Sequence, residues 1–209
     1  MSDELKQTPF SSSYPDGVVE WIDIFGYAVP LTWGDPNVEC AAVRNQAAAF
    51  EFSMLLKWDV EGAGAIQTVN NIFSRDISEM KPGTIAYGVV VSEAGKMVDD
   101  CTVFVYGPEL VRIIGANPIV GDLLDHYRTN NVTVSERRDE LAQLSVQGPL
   151  SREILQKLTS SDISNDALRW YHFITDVDMA GMKVQISRIG YTGELGYEIM
   201  LPVDSAQAF

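Results

Sequence analysis

Asp99 and Asp100 stand side by side in a run otherwise built from Met97, Val98, Val103, Phe104 and Val105. Aspartate is depleted in strands, and neighbouring strand side chains point to opposite faces. One carboxylate can therefore face water, while the other must face the packed side. There an isolated carboxylate is costly unless it meets donors, a cation or a ligand. Two readings stay open: a carboxylate poised at a site, or a pair seated at a twisted strand end beside a hairpin.

A second concentration of chemistry is the run from Gly190 to Glu198, GYTGELGYE, with three glycines, two tyrosines and two glutamates. Glycines let a backbone turn sharply or approach a ligand, tyrosines supply flat stacking surfaces, and a carboxylate matches the paired N–H donors of an amino-pyrimidinone edge. The run suits a planar heterocycle, and it equally suits an ordinary glycine-rich hairpin loop. Tyr87, in Ile85-Ala86-Tyr87-Gly88, adds a hydroxyl to a hydrophobic strand. Other chemistries fail. Gly62-Ala63-Gly64 lacks the third glycine of a dinucleotide fingerprint, and His126 and His172 sit in a predicted helix and an aromatic stretch rather than beside a nucleophile. Cys40 and Cys101 have no metal-ligand spacing, so no metal is expected.

The elements that must position these residues follow from periodicity. An irregular arm from Met1 to Pro36, pinned by Trp21, Phe25, Tyr27 and Trp33, precedes an alanine-rich helix over Asn37 to Ala49. A strand is predicted over Met54 to Val60, and a helix over Gly62 to Phe73. Strands follow at Ile85 to Val91, Met97 to Tyr106 and Leu110 to Ile114, then a helix from Pro118 to about Thr129 and a short strand at Val132 to Val134. The charged run Ser135 to Glu140 reads as a solvated crossing. Beyond it come a strand at Leu141 to Val146, a helix at Ser151 to Leu158, strands at Val184 to Ile189 and Tyr197 to Leu201, and a first helical turn at Pro202 to Phe209 capped by Asp204 or Ser205. The sum is an α+β fold, antiparallel sheets covered by helices.

A formal net charge of −14, from 29 acidic and 15 basic residues in a 209-residue chain, repels nucleic acid and anionic lipid. The N-terminal residues are polar and acidic, and no run approaches the roughly 20 apolar residues of a membrane span, so a cytoplasmic protein with neither partner is expected.

Taken in order, Val43-Arg44, Phe50-Glu51-Phe52-Ser53, Ile85-Ala86-Tyr87, Glu93-Ala94-Gly95 with Asp99-Asp100, Val146-Gln147-Gly148-Pro149, and the Gly190 to Glu198 run resemble the aminomethyltransferase family that includes the glycine cleavage T-protein. The resemblance runs through nearly all of this chain and covers somewhat over half of a typical member, so the expected fold lacks the family's C-terminal barrel. It implies a discontinuous first domain from residues 1–50 and 137–209, with residues 51–136 inserted as a second.

By the same resemblance, tetrahydrofolate lies in a central hole bordered by domains. Asp100 is the catalytic carboxylate near the reacting folate nitrogens, Glu198 grips the pterin, and Tyr191, Tyr87 and Leu55 line its pocket. The implied reaction moves a one-carbon unit from an aminomethyl group on a lipoyl-carrier protein to tetrahydrofolate, giving 5,10-methylenetetrahydrofolate and ammonia. Asp100 would orient the nitrogen and stabilise positive charge. Ser53-Met54-Leu55 replaces a frequent Ser-His-Met, and Gly115 a frequent Asn. These departures keep open a folate-dependent demethylase of a small methylated substrate, or a non-catalytic folate-binding accessory protein.

Overall fold

A computed structural model describes residues 5–209. In chain order its elements are strands β1 (Lys6–Gln7), β2 (Glu20–Ile24) and β3 (Tyr27–Thr32), helix α1 (Pro36–Asn45), strands β4 (Ala48–Glu51) and β5 (Leu56–Glu61), and helix α2 (Ala65–Asn70). Next come β6 (Thr84–Val91), β7 (Met97–Gly107), β8 (Leu110–Gly115), helix α3 (Ile119–Tyr127) and β9 (Thr133–Glu136). The chain finishes with β10 (Leu141–Gln147), helix α4 (Ser151–Gln156), β11 (Phe173–Met179), β12 (Met182–Ser187) and β13 (Gly196–Pro202). The fold is α+β, with two five-stranded sheets and one three-stranded sheet. Contacts divide the chain into two compact units: one comprises the segment through Met54, Asp139–Trp170 and Ile174–Phe209, the other Leu55–Arg138 with Tyr171–Phe173.

The first unit holds the sheet ordered β11-β12-β13-β10-β4. Strand β10 pairs antiparallel with both β13 and β4, which places Ser145 opposite Glu198 on one side and Phe50 on the other. Alternation sorts β10 into two faces. Ala142, Leu144 and Val146 join Tyr197, Ile199, Leu201, Val184 and Ile186 in an apolar core, and Gln143, Ser145 and Gln147 take the opposite face. The predicted irregular arm is corrected here: it forms a sheet ordered β1-β3-β2, in which β1 runs parallel to β3. The Phe25-Gly26 turn, with φ of 55° and 83°, closes the β2–β3 hairpin, and Gly26 N donates to Asp23 Oδ1 at 2.8 Å. Positive φ at both central positions matches strand twist in a two-residue hairpin. Of the four aromatics expected to pin the arm, Tyr27 is buried, while Trp21, Phe25 and Trp33 are exposed. Residues 1–4 of that expected arm lie outside the described residues.

Helix α1 ends at Asn45, short of the predicted Ala49, because Ala48 and Ala49 pair with Gln147 and Val146 as strand β4. Asp35 supplies its N-cap, accepting from Asn37 N at 2.9 Å. The expected cap at Asp204 or Ser205 is not made; Val203–Ser205 is a single 3-10 turn after Pro202 with no side-chain cap.

The second unit is an antiparallel sheet ordered β6-β7-β8-β5-β9. Helices α2 and α3 cover one face, where Val69, Val120 and Leu124 pack with Trp58, Val60, Val103 and Ile113. Gly95, at φ +70°, closes the β6–β7 turn, so the Asp pair lies two residues into β7 from a hairpin. A bulge opposite that end, between Val90 and Val91, adds local twist.

Candidate functional site

The two aspartates divide as strand alternation requires, and their surroundings give them different tasks. Asp99 is 8% exposed, and its Oδ2 accepts from Ala116 N at 2.6 Å and Asn117 N at 2.9 Å, the two amides leading into α3. A Cβ added at Gly115 would come within 2.4 Å of that oxygen, so the carboxylate occupies the space an Asn at 115 would need. Cys101, next on the same face, donates its thiol to Asp99 Oδ2 at 3.7 Å. Burial first, and the Asp99 charge second, push the Cys101 thiol well above the ordinary thiol range. Asp99 is therefore a structural clamp. Asp100 faces the other way, half-buried, and its Oδ2 accepts from the Tyr87 hydroxyl at 2.8 Å. Tyr87 is 41% exposed, so sequence-predicted residues Asp100 and Tyr87 meet at an accessible surface of their sheet. Leu55 opens the same unit; its carbonyl accepts from the Lys57 ammonium at 2.9 Å, and its side chain is half-buried.

Glu198 belongs to the other unit, on β13 and 9% exposed. Its cross-strand neighbours on β10 and β12 are Ser145 and Ser187, and its Oε2 accepts from Gln143 Nε2 at 2.9 Å. Gln143, Ser145, Gln147, Gln185 and Ser187 are all buried with it, so this sheet hides a row of uncharged hydrogen-bonding groups around one carboxylate. Buried polar groups are expensive unless satisfied, and the Oε1 of Gln143 finds no hydrogen-bond partner among the described residues. Such a face suits a flat ligand that brings its own donors and acceptors.

The glycine-rich run is explained largely by one glutamine. Gln147 Nε2 donates to Ser145 Oγ at 2.9 Å and Ile189 O at 3.2 Å, while its Oε1 accepts from Thr192 Oγ1 at 3.1 Å. A Cβ at either Gly190 or Gly196 would lie 1.9 Å from that Oε1, so these glycines exist to admit the Gln147 side chain. The loop is held from outside by Arg44, which donates to Thr192 O at 2.7 Å and pairs with Glu194 at 2.8 Å. Tyr191, at the tip, is 81% exposed. Of the run's two glutamates, one thus ties the loop to α1 and the other lies in the polar row. Met54 packs with Tyr27 and Val29 in a small apolar cluster, so the residue replacing a polar one serves the core.

A family model described as the GCVT N-terminal domain matches residues 16–209. The chain belongs to that family. Among its curated relatives, an aminomethyltransferase of Lysinibacillus sphaericus (strain C3-41) is 34% identical over 95% of this chain and 55% of its own length. One from Bacillus subtilis (strain 168) is 33% identical over 97% of this chain and 56% of its own. A solved glycine cleavage system aminomethyltransferase T from Bartonella henselae shares the fold, with a TM-score of 0.82 at 23% identity, over 98% of this chain and 55% of that one. The chain thus spans about half the length of the relatives it matches.

Within this GCVT N-terminal domain, sequence reasoning missed the polar row. Its signal is the strict alternation of Leu141-Ala142-Gln143-Leu144-Ser145-Val146-Gln147, repeated in Val184-Gln185-Ile186-Ser187. A strand with apolar residues on one face and short amides and hydroxyls on the other is ordinarily read as solvated outside. Here that outside is buried.

Proposed function

We propose that this chain binds tetrahydrofolate and takes part in the transfer of an aminomethyl-derived one-carbon unit to it, as the names of its relatives suggest. The observation that carries the reading is Glu198, a carboxylate buried in a row of Gln and Ser on β10, β12 and β13. A carboxylate offers about four acceptor sites, and those beyond the Gln143 bond suit the N3–H and 2-amino group of a pterin. Tyr191 adds a flat, accessible ring on the loop leading into β13.

Tetrahydrofolate, when bound, supplies the nitrogens that accept the one-carbon unit. The chain's part falls to Asp100. Tyr87 fixes one carboxylate oxygen at 2.8 Å, which turns the other lone pairs toward an incoming N–H. So held, Asp100 orients the nitrogen and offsets positive charge that develops on the carbon being transferred. A lipoyl-carrier protein is the proposed donor partner; the carbon's bonds to the lipoyl sulfur and to its amine nitrogen break as its two bonds to the folate nitrogens form, so the proposed products are 5,10-methylenetetrahydrofolate, ammonia and the carrier's free lipoyl thiol.

A thermal melt tests the binding. Ligand at about 100 times its Kd stabilises the folded state by about 2.7 kcal/mol. Saturating tetrahydrofolate should therefore raise Tm by several degrees, and Glu198→Ala should abolish the rise. An unchanged wild-type curve would overturn the reading.

A further inference from the structure

We propose that Gln143 is a specificity-determining residue of the folate site, its carboxamide oxygen taking the exocyclic amino group of a 2-amino-4-oxopteridine whose inner edge is held by Glu198. The inference rests on the folate reading and goes beyond it to say which substituent the site selects.

Gln143 lies on β10, two residues before Ser145 and on the same face, and is 2% exposed. The orientation of its amide is dictated by chemistry. Its nitrogen must face Glu198 Oε2, 2.9 Å away, because the reverse would set a carbonyl oxygen against a carboxylate. That fixes Oε1 at the other corner of the planar carboxamide, where it has no hydrogen-bond partner among the described residues. A buried carbonyl left without a donor is destabilising, and a leucine would fill a strand position without that penalty. Packing therefore does not account for Gln143, nor does the support of Glu198 account for its second atom.

Glu198 and the Gln143 oxygen form a pair of acceptors joined through one planar amide. A primary amine on a flat ring matches them, since its two N–H bonds diverge by about 120° as sp² geometry demands. One hydrogen goes to the carboxylate and the other to the amide oxygen, while the adjacent ring N–H completes the carboxylate pair. A pteridine carrying methyl or oxygen at that carbon keeps the ring N–H for the carboxylate but has no amine hydrogen for the Gln143 oxygen. The site accordingly selects amino-pteridines, and the buried orphan acceptor is the device that rejects the others, as sites built to bond a substrate N–H do.

Titration calorimetry with two probes, tetrahydrofolate and its 2-desamino-2-methyl analogue, tests this on wild type, Gln143→Leu and Gln143→Met. Wild type should prefer tetrahydrofolate by tenfold or more, roughly one or more buried hydrogen bonds. Both variants should lose about tenfold in tetrahydrofolate affinity and none for the analogue, shrinking the preference by that factor. The Met variant, close to Gln in shape, repeats the comparison free of any packing loss in the Leu variant. A full preference retained in both variants would overturn the role, and so would an equal loss of both ligands, which would make Gln143 only a support for Glu198. Failure of the wild type to bind tetrahydrofolate would sink the folate reading itself, a distinct outcome.

Discussion

Each five-stranded sheet buries a carboxylate in mid-strand, Asp59 in β5 and Glu198 in β13, and the two are treated differently. Asp59 meets a guanidinium. Arg112 grips both of its oxygens, at 2.6 and 2.8 Å, Arg137 lies 3.7 Å away, and the Arg112 guanidinium also covers the Tyr106 ring at 5.3 Å. Glu198 accepts from the carboxamide of Gln143 and has Ser145 and Ser187 as its cross-strand neighbours. A bidentate arginine neutralises an acid and locks it into the fold, whereas amides and hydroxyls solvate it and leave its charge in place. The first arrangement is architecture. The second surrounds a carboxylate with amides and hydroxyls that a ligand's own donors can join, which is why the proposed folate reading centres on Glu198 rather than on Asp59.

The contrast can be broken most forcefully at the ion pair. Arg112→Ala strips Asp59 of its bidentate partner, leaving Arg137 at 3.7 Å, and should destabilise the protein by up to about 3–5 kcal/mol. Urea unfolding checks this, and a loss within about 1 kcal/mol would mean that Asp59 is not locked by Arg112. Next in size is the loop beside the polar row. Gly190→Ala or Gly196→Ala drives a methyl into Gln147 and should cost about 1–3 kcal/mol, with part of the loss recovered in a Gln147→Ala background. Additive losses in that cycle would show that Gln147 is not what the glycines accommodate.

The Cys101 thiol gives a pH test of the Asp99 clamp. Its folded pKa is raised by burial and then by Asp99, so the stability it contributes is present below the unfolded value near 8.5 and lost as pH rises above it. Above about pH 9 the loss should steepen toward a limit of about 1.4 kcal/mol per pH unit, and Cys101→Ala should remove it. In the folded protein a thiol reagent should modify the exposed Cys40 and spare Cys101. The smallest effect is expected at Glu198. Glu198→Gln exchanges a carboxylate for an amide in a row of amides and hydroxyls, and should shift stability by under about 1 kcal/mol. A loss as large as that of Arg112→Ala would erase the distinction between the two acids.

How much of this was legible in the sequence depends on the range of the interaction. Strands at Ile85 to Val91 and Met97 to Tyr106, and the split of Asp99 from Asp100, follow from alternation and a glycine turn, which are local. Strand β11 went unread, although Phe173, Val177 and Met179 are buried and Ala180-Gly181, with φ of 50° and 81°, marks a tight turn into β12. Its acids Asp176 and Asp178 disguised it. The β2–β3 hairpin was hidden because β2 and its turn leave Trp21, Ile22 and Phe25 exposed while, of the apolar residues of β3, only Tyr27 and Val29 are buried, so the segment shows no two-faced strand pattern throughout. The sequence left glycines 190 and 196 open between a ligand-approaching loop and an ordinary hairpin; they make room for Gln147, a partner more than 40 residues distant along the chain. No periodicity in a single strand reports such a contact. Nor could the sequence show that the polar face of β10 is buried, since that depends on tertiary packing rather than on the strand's own pattern.

In the proposed reading two carboxylates divide the work: Glu198 holds the pterin and Asp100 acts on the reacting nitrogen. A calorimetric titration of tetrahydrofolate against Glu198→Ala and Asp100→Asn tests it most directly. Glu198→Ala should lose binding by about a hundredfold, as removal of a charged partner of two donors should, while Asp100→Asn should stay within about threefold of wild type. Equal losses in the two variants, or a larger loss at Asp100, would contradict it.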